Sequence, residues 1–146
     1  MKKKAIAARH AGNSIFGIDD SLGFLPVDEA LNLYNALVDP HLTHGADVCI
    51  DVAQTHLSKL ECIQHYFVRR LLGLPTNSLL VAFFTETGLL PLKFRRLLVA
   101  LNYLKYLVNL PPSRLACKAL EDSITLDRCS NHSWVRDLRT TIANLT

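Results

Sequence analysis

Apolar residues recur along most of this chain at intervals of three and four, the spacing of a helix face. The clearest stripe begins after Thr55 and occupies Leu57, Leu60, Ile63, Phe67 and Leu71. Gly73 then stands where a helix end favours a left-handed residue, and Pro75 prevents continuation. No segment alternates with a period of two for long enough to indicate a sheet. The pattern therefore predicts an all-α fold.

Two helices are predicted before this one. The first covers about Lys2–Phe16, and a loop at Gly17–Gly23 follows it. Pro26 opens the second helix at its first position, because the missing proline N–H would be unbonded there anyway. Pro40 and Gly45 are expected to bend or interrupt that helix.

The later helices include the one predicted to be longest. A short helix at Leu79–Glu86 ends at Gly88, and Pro91 opens a helix that runs to Leu110. The main apolar face of this long helix comprises Phe94, Leu97, Leu101, Leu104 and Val108. Further apolar residues fill much of the opposite side, so we expect it to be the central helix or to pack on a partner. Ser113 and Ser133 are predicted to cap two further helices.

Length and composition fit one domain that spans residues 1–146 and contains about five to seven helices. Hydrophobic residues make up 49% of the 146 residues. No window reaches the roughly 18 apolar residues that a membrane span needs, so no membrane association is expected. The basic N-terminus is followed only by the short apolar run Ala5–Ala8, which is not a signal peptide. We therefore expect an intracellular, unsecreted protein. Because the first helix begins without a cap, the chain also resembles a fragment of a larger protein.

The four cysteines and six histidines suggest metal chemistry only weakly. Cys62 with His65, and Cys129 with His132, each have a Cys-x-x-His spacing. A structural zinc site needs four ligands in a recognisable pattern, and neither CxxC nor HxxxH occurs. We therefore expect no metal site, and we expect reduced, mostly buried thiols.

Catalytic signatures are also missing from the sequence. The pair Asp19-Asp20 resembles a two-metal polymerase loop, but Gly17 occupies the position where an aromatic residue is usual. No strand pattern flanks the pair, and no upstream segment supplies a third carboxylate. There is no GxSxG elbow and no glycine-rich phosphate loop. The prediction is a non-enzyme with no catalytic residues and no cofactor.

Basic residues form the remaining candidate site. The candidates lie at the end of one helix and the start of another, and they are Arg69, Arg70, Lys93, Arg95 and Arg96. They could converge into one patch that contacts phosphates. Alternatively, they complement a helix dipole and keep the surface soluble. Spacing alone favours this second interpretation.

Four segments in order resemble the region after the polymerase palm in reverse transcriptases of non-LTR (LINE-type) retrotransposons. Leu33–Gly45 resembles the family's LYxxxVxPxLxYG segment, with His44 where the family usually has Tyr. Leu60–Gly73 resembles its LExxQxxFxRxxLG helix. Phe84–Arg96 resembles its E-x-G-x-x-P stretch, and Ser133–Arg139 is similar to a downstream part of some members. The resemblance covers almost the whole chain.

The resemblance implies a thumb-like helical region that helps to hold a template–primer duplex. The expected partners are RNA or an RNA/DNA duplex, together with the missing palm domain. The resemblance supports the basic patch, and it implies a nuclear location. The alternative function is a helical protein-interaction module that packs on a partner or self-associates through apolar helix faces.

Overall fold

All regular structure in the described residues is helical, which confirms the all-α prediction. The computed structural model describes residues 2–23, 25–50 and 52–145, with the backbone alone at residues 2, 19, 22, 80, 82 and 83. The elements in chain order are α1 Lys2–Leu22, α2 Val27–Leu33, a π-helical turn Tyr34–Val38, α3 Asp39–Thr43, α4 Gln54–Leu71, α5 Leu80–Thr87, α6 Leu92–Val108, α7 Leu115–Arg128 and α8 Trp134–Ala143. Since α2, the π-helical turn and α3 are continuous, the described residues form seven helical segments.

The chain divides into two compact units. Unit 1 comprises Met1–His44 and Thr55–Lys93, and unit 2 comprises Gly45–Gln54 and Phe94–Thr146. Both units are therefore assembled from separate stretches of the chain. The folding of residues 1–146 as a single domain stays a prediction.

The first helix is longer than predicted. The predicted loop at Gly17–Gly23 is wrong, because α1 continues to Leu22 and Gly23 follows it with a φ of 82°. A glycine inside a helix costs only about 1 kcal/mol, and the buried side chains of Ile15 and Phe16 hold this part of α1 in the core. The backbone of the Asp19-Asp20 pair is therefore helical. The side chain of Asp19 lies outside the described residues, so the prediction that the pair holds no metal stays untested.

The predicted interruption at Pro40 is a local widening rather than a break, whereas the helix does end at Thr43, just before Gly45. Pro40 lies in the first turn of α3, directly after the π-helical turn. Proline has no N–H, and its ring crowds the carbonyl four residues earlier. A π-helical turn relieves this clash between the proline ring and the carbonyl without ending the helix. The turn brings Tyr34 and Val38 into the core, where both are buried.

The core of unit 1 is centred on Phe67 of α4. The Phe67 ring centroid lies 5.0 Å from that of Phe16 in α1 and 4.9 Å from that of Tyr34 in the π-helical turn. Gly12 permits this approach, because a Cβ there would lie 3.3 Å from a carbon of the Phe67 ring. The predicted stripe of α4 is confirmed: Leu57, Leu60, Ile63 and Phe67 are buried, and Leu71 is partly buried.

The end of α4 also matches the prediction. The N–H of Leu74 donates to the carbonyl of Arg69 at 2.8 Å, and the N–H of Gly73 donates to that of Arg70 at 3.2 Å. Gly73 has a φ of 63°, as this pair of bonds requires. These two closing carbonyls of α4 are thereby satisfied, and the helix ends.

Gln64 joins α4 to the start of α6. Its side chain is 2% exposed. Nε2 donates to the carbonyl of Leu90 at 3.0 Å, and Oε1 accepts from the N–H of Leu92 at 2.9 Å. Pro91 lies between these two residues and has no N–H to offer. One buried amide therefore satisfies the backbone on both sides of the proline and fixes the beginning of α6.

The prediction that α6 is the longest helix is wrong. It has 17 residues, whereas α1 has 21. Its buried residues are Leu92, Arg96, Ala100 and Leu107. None of the predicted main apolar face is fully buried: Phe94 is 38% exposed and Val108 is 66% exposed. Leu97, Leu101 and Leu104 are partly buried. Because apolar residues occur on nearly every side of α6, spacing could not indicate which side is buried.

Unit 2 is organised around α8 and its first residue. Ser133 caps α8, as predicted, by accepting a hydrogen bond from the N–H of Arg136 at 3.2 Å. The Trp134 indole N–H donates to the carbonyl of Asp47 at 3.0 Å, and its ring meets Tyr103 edge-on at 6.0 Å. The predicted Ser113 cap is wrong, because α7 begins at Leu115 without a side-chain cap.

We predict that Gln64→Leu destabilises the fold by about 1–3 kcal/mol, because it removes the partner of the buried Leu92 N–H and of the partly buried Leu90 carbonyl. Urea unfolding followed by circular dichroism measures the loss. Gln54→Leu is the matched control, since Gln54 is exposed at the start of the same helix, and its effect should stay within about 0.5 kcal/mol. Equal stability of the Gln64→Leu variant and the parent would contradict the bridging role.

Candidate nucleic-acid interface

The predicted basic residues are divided between the two units. Arg69 and Arg70 lie in the last turn of α4, and Lys93 lies in the first turn of α6; all three belong to unit 1. Arg95 and Arg96 belong to unit 2. The convergence of the two groups into one patch therefore stays a prediction.

Exposure further separates these five residues. Arg70 and Arg95 are exposed, whereas Arg69 and Lys93 are partly buried. Arg96 is only 5% exposed and lies on the inward side of α6 with Ala100. Successive side chains of a helix point about 100° apart. Arg95 can therefore be exposed while the next residue, Arg96, is buried. Arg96 does not belong to the surface that a phosphate could reach.

The outward side of α4 carries two basic residues and one aromatic residue. Its exposed members recur at intervals of three and four, and they are Lys59, Cys62, Tyr66 and Arg70. We call these four residues the α4 face. The only acidic residue of α4 is Glu61. Lys59 and Tyr66 were absent from the predicted site, although their spacing opposite the apolar stripe could have indicated them.

A shallow groove of about 300 Å³ lies along this end of α4. Its walls combine apolar surface with hydrogen-bonding groups, and they are formed by Cys62, His65, Tyr66, Arg69, Arg70, Leu74 and Thr76. The groove thus includes three members of the α4 face together with the turn that follows the helix.

Arg70 is held in place although it is exposed. Its guanidinium carbon lies 4.2 Å from the centroid of the Phe16 ring, within the range of a cation–π contact. One Nη atom donates to the hydroxyl oxygen of Tyr66 at 3.3 Å. The two contacts order the guanidinium and the Tyr66 side chain together at the groove.

Arg69 has a structural role beside the groove. Its Nη2 donates to the carbonyl of Ser78 at 3.3 Å. The N–H of Ser78 in turn donates to the carbonyl of Pro75 at 3.2 Å, closing the turn that contains Thr76. Arg69 thereby fixes the wall of the groove opposite α4.

Two titratable groups of α4 depart from their ordinary behaviour. Burial, and secondarily the Arg69 charge, lower the pKa of His65 below its ordinary value of 6.5. The His65 ring also meets Phe84 edge-on at 6.0 Å. Burial raises the pKa of Glu61 above 4.5, and the nearby Lys93 opposes this shift. His65 is therefore neutral at pH 7, and Lys93 has an acidic neighbour.

The prediction that the thiols are mostly buried is wrong. Cys49, Cys62 and Cys129 are exposed, and Cys117 is partly buried. Cys49 and Cys129 lie outside the helices, and Cys62 lies on the side of α4 opposite its apolar stripe. In the part of the chain that the structure describes, no three His, Cys, Asp or Glu side chains are grouped to hold a metal ion.

The described helices include none that is both long and apolar enough to cross a membrane. No family model, curated protein or solved structure matches the chain. The resemblance to a reverse-transcriptase segment therefore rests on the sequence motifs alone.

Proposed function

We propose that this chain is a non-catalytic helical segment that binds nucleic acid weakly through the α4 face, in the manner of a reverse-transcriptase thumb. The observation that carries the proposal is the ordered pair of Arg70 and Tyr66 beside a groove. Lys59 extends the positive charge along the same side of the helix. The proposed partner is RNA or an RNA/DNA duplex.

The electrostatics of α4 support an anionic partner. Lys59 and Arg70 are exposed, and Glu61 lies near Lys93. Arg69 and Arg70 place two positive charges at the C-terminal end of α4, where they oppose the negative end of the helix dipole. An arginine that is already ordered loses less conformational entropy when it binds.

The other predicted basic residues contribute differently to the proposed phosphate binding. Arg95 is exposed and stays a proposed phosphate contact from unit 2. Arg69 acts through the Ser78 turn, and the Lys93 charge is offset by Glu61. Arg96 is removed from the proposed set because it is buried. The proposed interface therefore centres on α4.

We predict that the chain binds RNA duplex without sequence preference, with a dissociation constant on the order of 10⁻⁴–10⁻⁶ M at physiological salt. Fluorescence anisotropy over a range of salt concentrations measures the affinity. Lys59→Ala and Arg70→Ala should each weaken binding equally for all sequences and reduce the salt slope by about 1. Lys105→Ala, at an exposed lysine of α6, is the matched control. Unchanged affinity and slope in the Lys59/Arg70 double variant would refute the proposal.

The outward side of α6 favours a second candidate function, a protein-interaction module. Three large apolar residues are exposed there: Phe94 at 38%, Leu98 at 43% and Val108 at 66%. They recur at intervals that place them on one side of the helix. In an antiparallel pair of two such helices, Phe94 of one copy would lie opposite Val108 of the other, which is the self-complementarity that a two-fold dimer requires.

This second candidate predicts concentration-dependent self-association in sedimentation equilibrium. Leu98→Lys should shift the equilibrium to monomer, because the new charge would be desolvated in the apolar contact and would lie near the exposed Lys105 of the other copy. Ile6→Lys replaces another exposed apolar residue, 57% exposed on α1, and should leave association unchanged. A parent chain that stays monomeric at high concentration rules out self-association.

A further inference from the structure

We propose that the groove at the end of α4 receives one unpaired nucleobase, which stacks on the Tyr66 ring while Arg70 binds the adjoining phosphate. This inference rests on the proposed function and specifies the nucleic acid that the site prefers. A template–primer with an unpaired overhang would present both parts of the ligand.

The Tyr66 ring is suited to stacking because it is both exposed and ordered. The side chain is 46% exposed, and its hydroxyl accepts the hydrogen bond from Arg70. Leu74 supplies a second apolar wall of the groove and is 38% exposed. Bases stack on such aromatic rings without strong sequence preference, since every base has a π face.

Arg70 has donors left for the ligand. A guanidinium carries five N–H groups, and Arg70 directs one Nη atom to Tyr66 while its plane is held near Phe16. The other N–H groups can bind a phosphate oxygen, as arginine does in many nucleic-acid sites. The Tyr66 ring and the Arg70 guanidinium therefore lie side by side at the groove.

The size and polarity of the groove fit one nucleotide better than a larger partner. Its volume of about 300 Å³ is at the lower end of the roughly 300–1,000 Å³ of small-ligand sites. His65, which is neutral at pH 7, and the hydroxyl of Thr76 offer hydrogen bonds to a base edge. In a duplex the base faces are covered by their neighbours, so only an unpaired base can enter.

The test compares three probes: a short blunt RNA duplex, the same duplex with a short adenosine overhang, and the duplex with an abasic overhang of equal charge. We expect the adenosine overhang to raise affinity roughly 5- to 100-fold over the abasic one. Tyr66→Leu should abolish this preference while blunt-duplex binding persists. Tyr66→Phe keeps the ring and should retain most of the preference.

Tyr106→Leu is the matched control, since Tyr106 is 58% exposed on α6, and the preference should survive in it. Equal affinity for the adenosine and abasic overhangs, with blunt-duplex binding intact, would overturn the stacking inference and leave the proposed function standing. Failure to bind any of the three probes at low salt would overturn both. A preference that survives in Tyr66→Leu would also reject Tyr66 as the stacking residue.

Discussion

The contact of Phe16 with α4 is the constraint on which the rest of unit 1 depends. The Phe16 ring packs on Phe67 in the core, with ring centroids 5.0 Å apart, and the guanidinium of Arg70 lies 4.2 Å from the same ring's centroid. One aromatic side chain therefore connects the interior to the proposed interface. Displacing Phe16 would loosen the core and release Arg70 at once. Gly12 leaves room for the Phe67 ring, and the π-helical turn brings Tyr34 against that ring.

Local signals predicted the parts of the fold that local chemistry decides. Gly73, Gly88 and Ser133 end or cap helices as expected, because backbone conformation and a side-chain acceptor are properties of the residue itself. The stripe of α4 was readable because its other side is polar. The buried side of α6 was not readable, since apolar residues surround that helix and only its neighbours select the inward side. The bridging by Gln64 depends on a proline 27 positions later in the chain, and no local pattern encodes such a pairing.

The candidate site was predicted in part. The pair Arg69-Arg70 was identified from the sequence, but the two arginines differ in role: Arg69 holds the Ser78 turn, and Arg70 faces the groove. The charge of the two arginines and their position at a helix end can be predicted from the sequence. The hydrogen-bond partner of each guanidinium cannot, because that partner is supplied by the folded structure. Arg96 shows the same limit, because its burial on α6 follows from which side of the helix packs inward. Tyr66 and Lys59 could have been identified from their positions opposite the apolar stripe of α4, whereas the contact of Tyr66 with Arg70 at the groove depends on the folded structure.

The central claim is that nucleic acid binds to the α4 face rather than to the outward side of α6. Mapping of backbone amide chemical shifts during titration with an RNA duplex that carries an overhang tests it most directly. The account predicts progressive shifts at Lys59, Cys62, Tyr66 and Arg70 and in the turn that contains Thr76. The amide of Val108, which is distant along α6 from the proposed contact Arg95, should remain unchanged. Shifts confined to α6, with none on α4, would contradict the account.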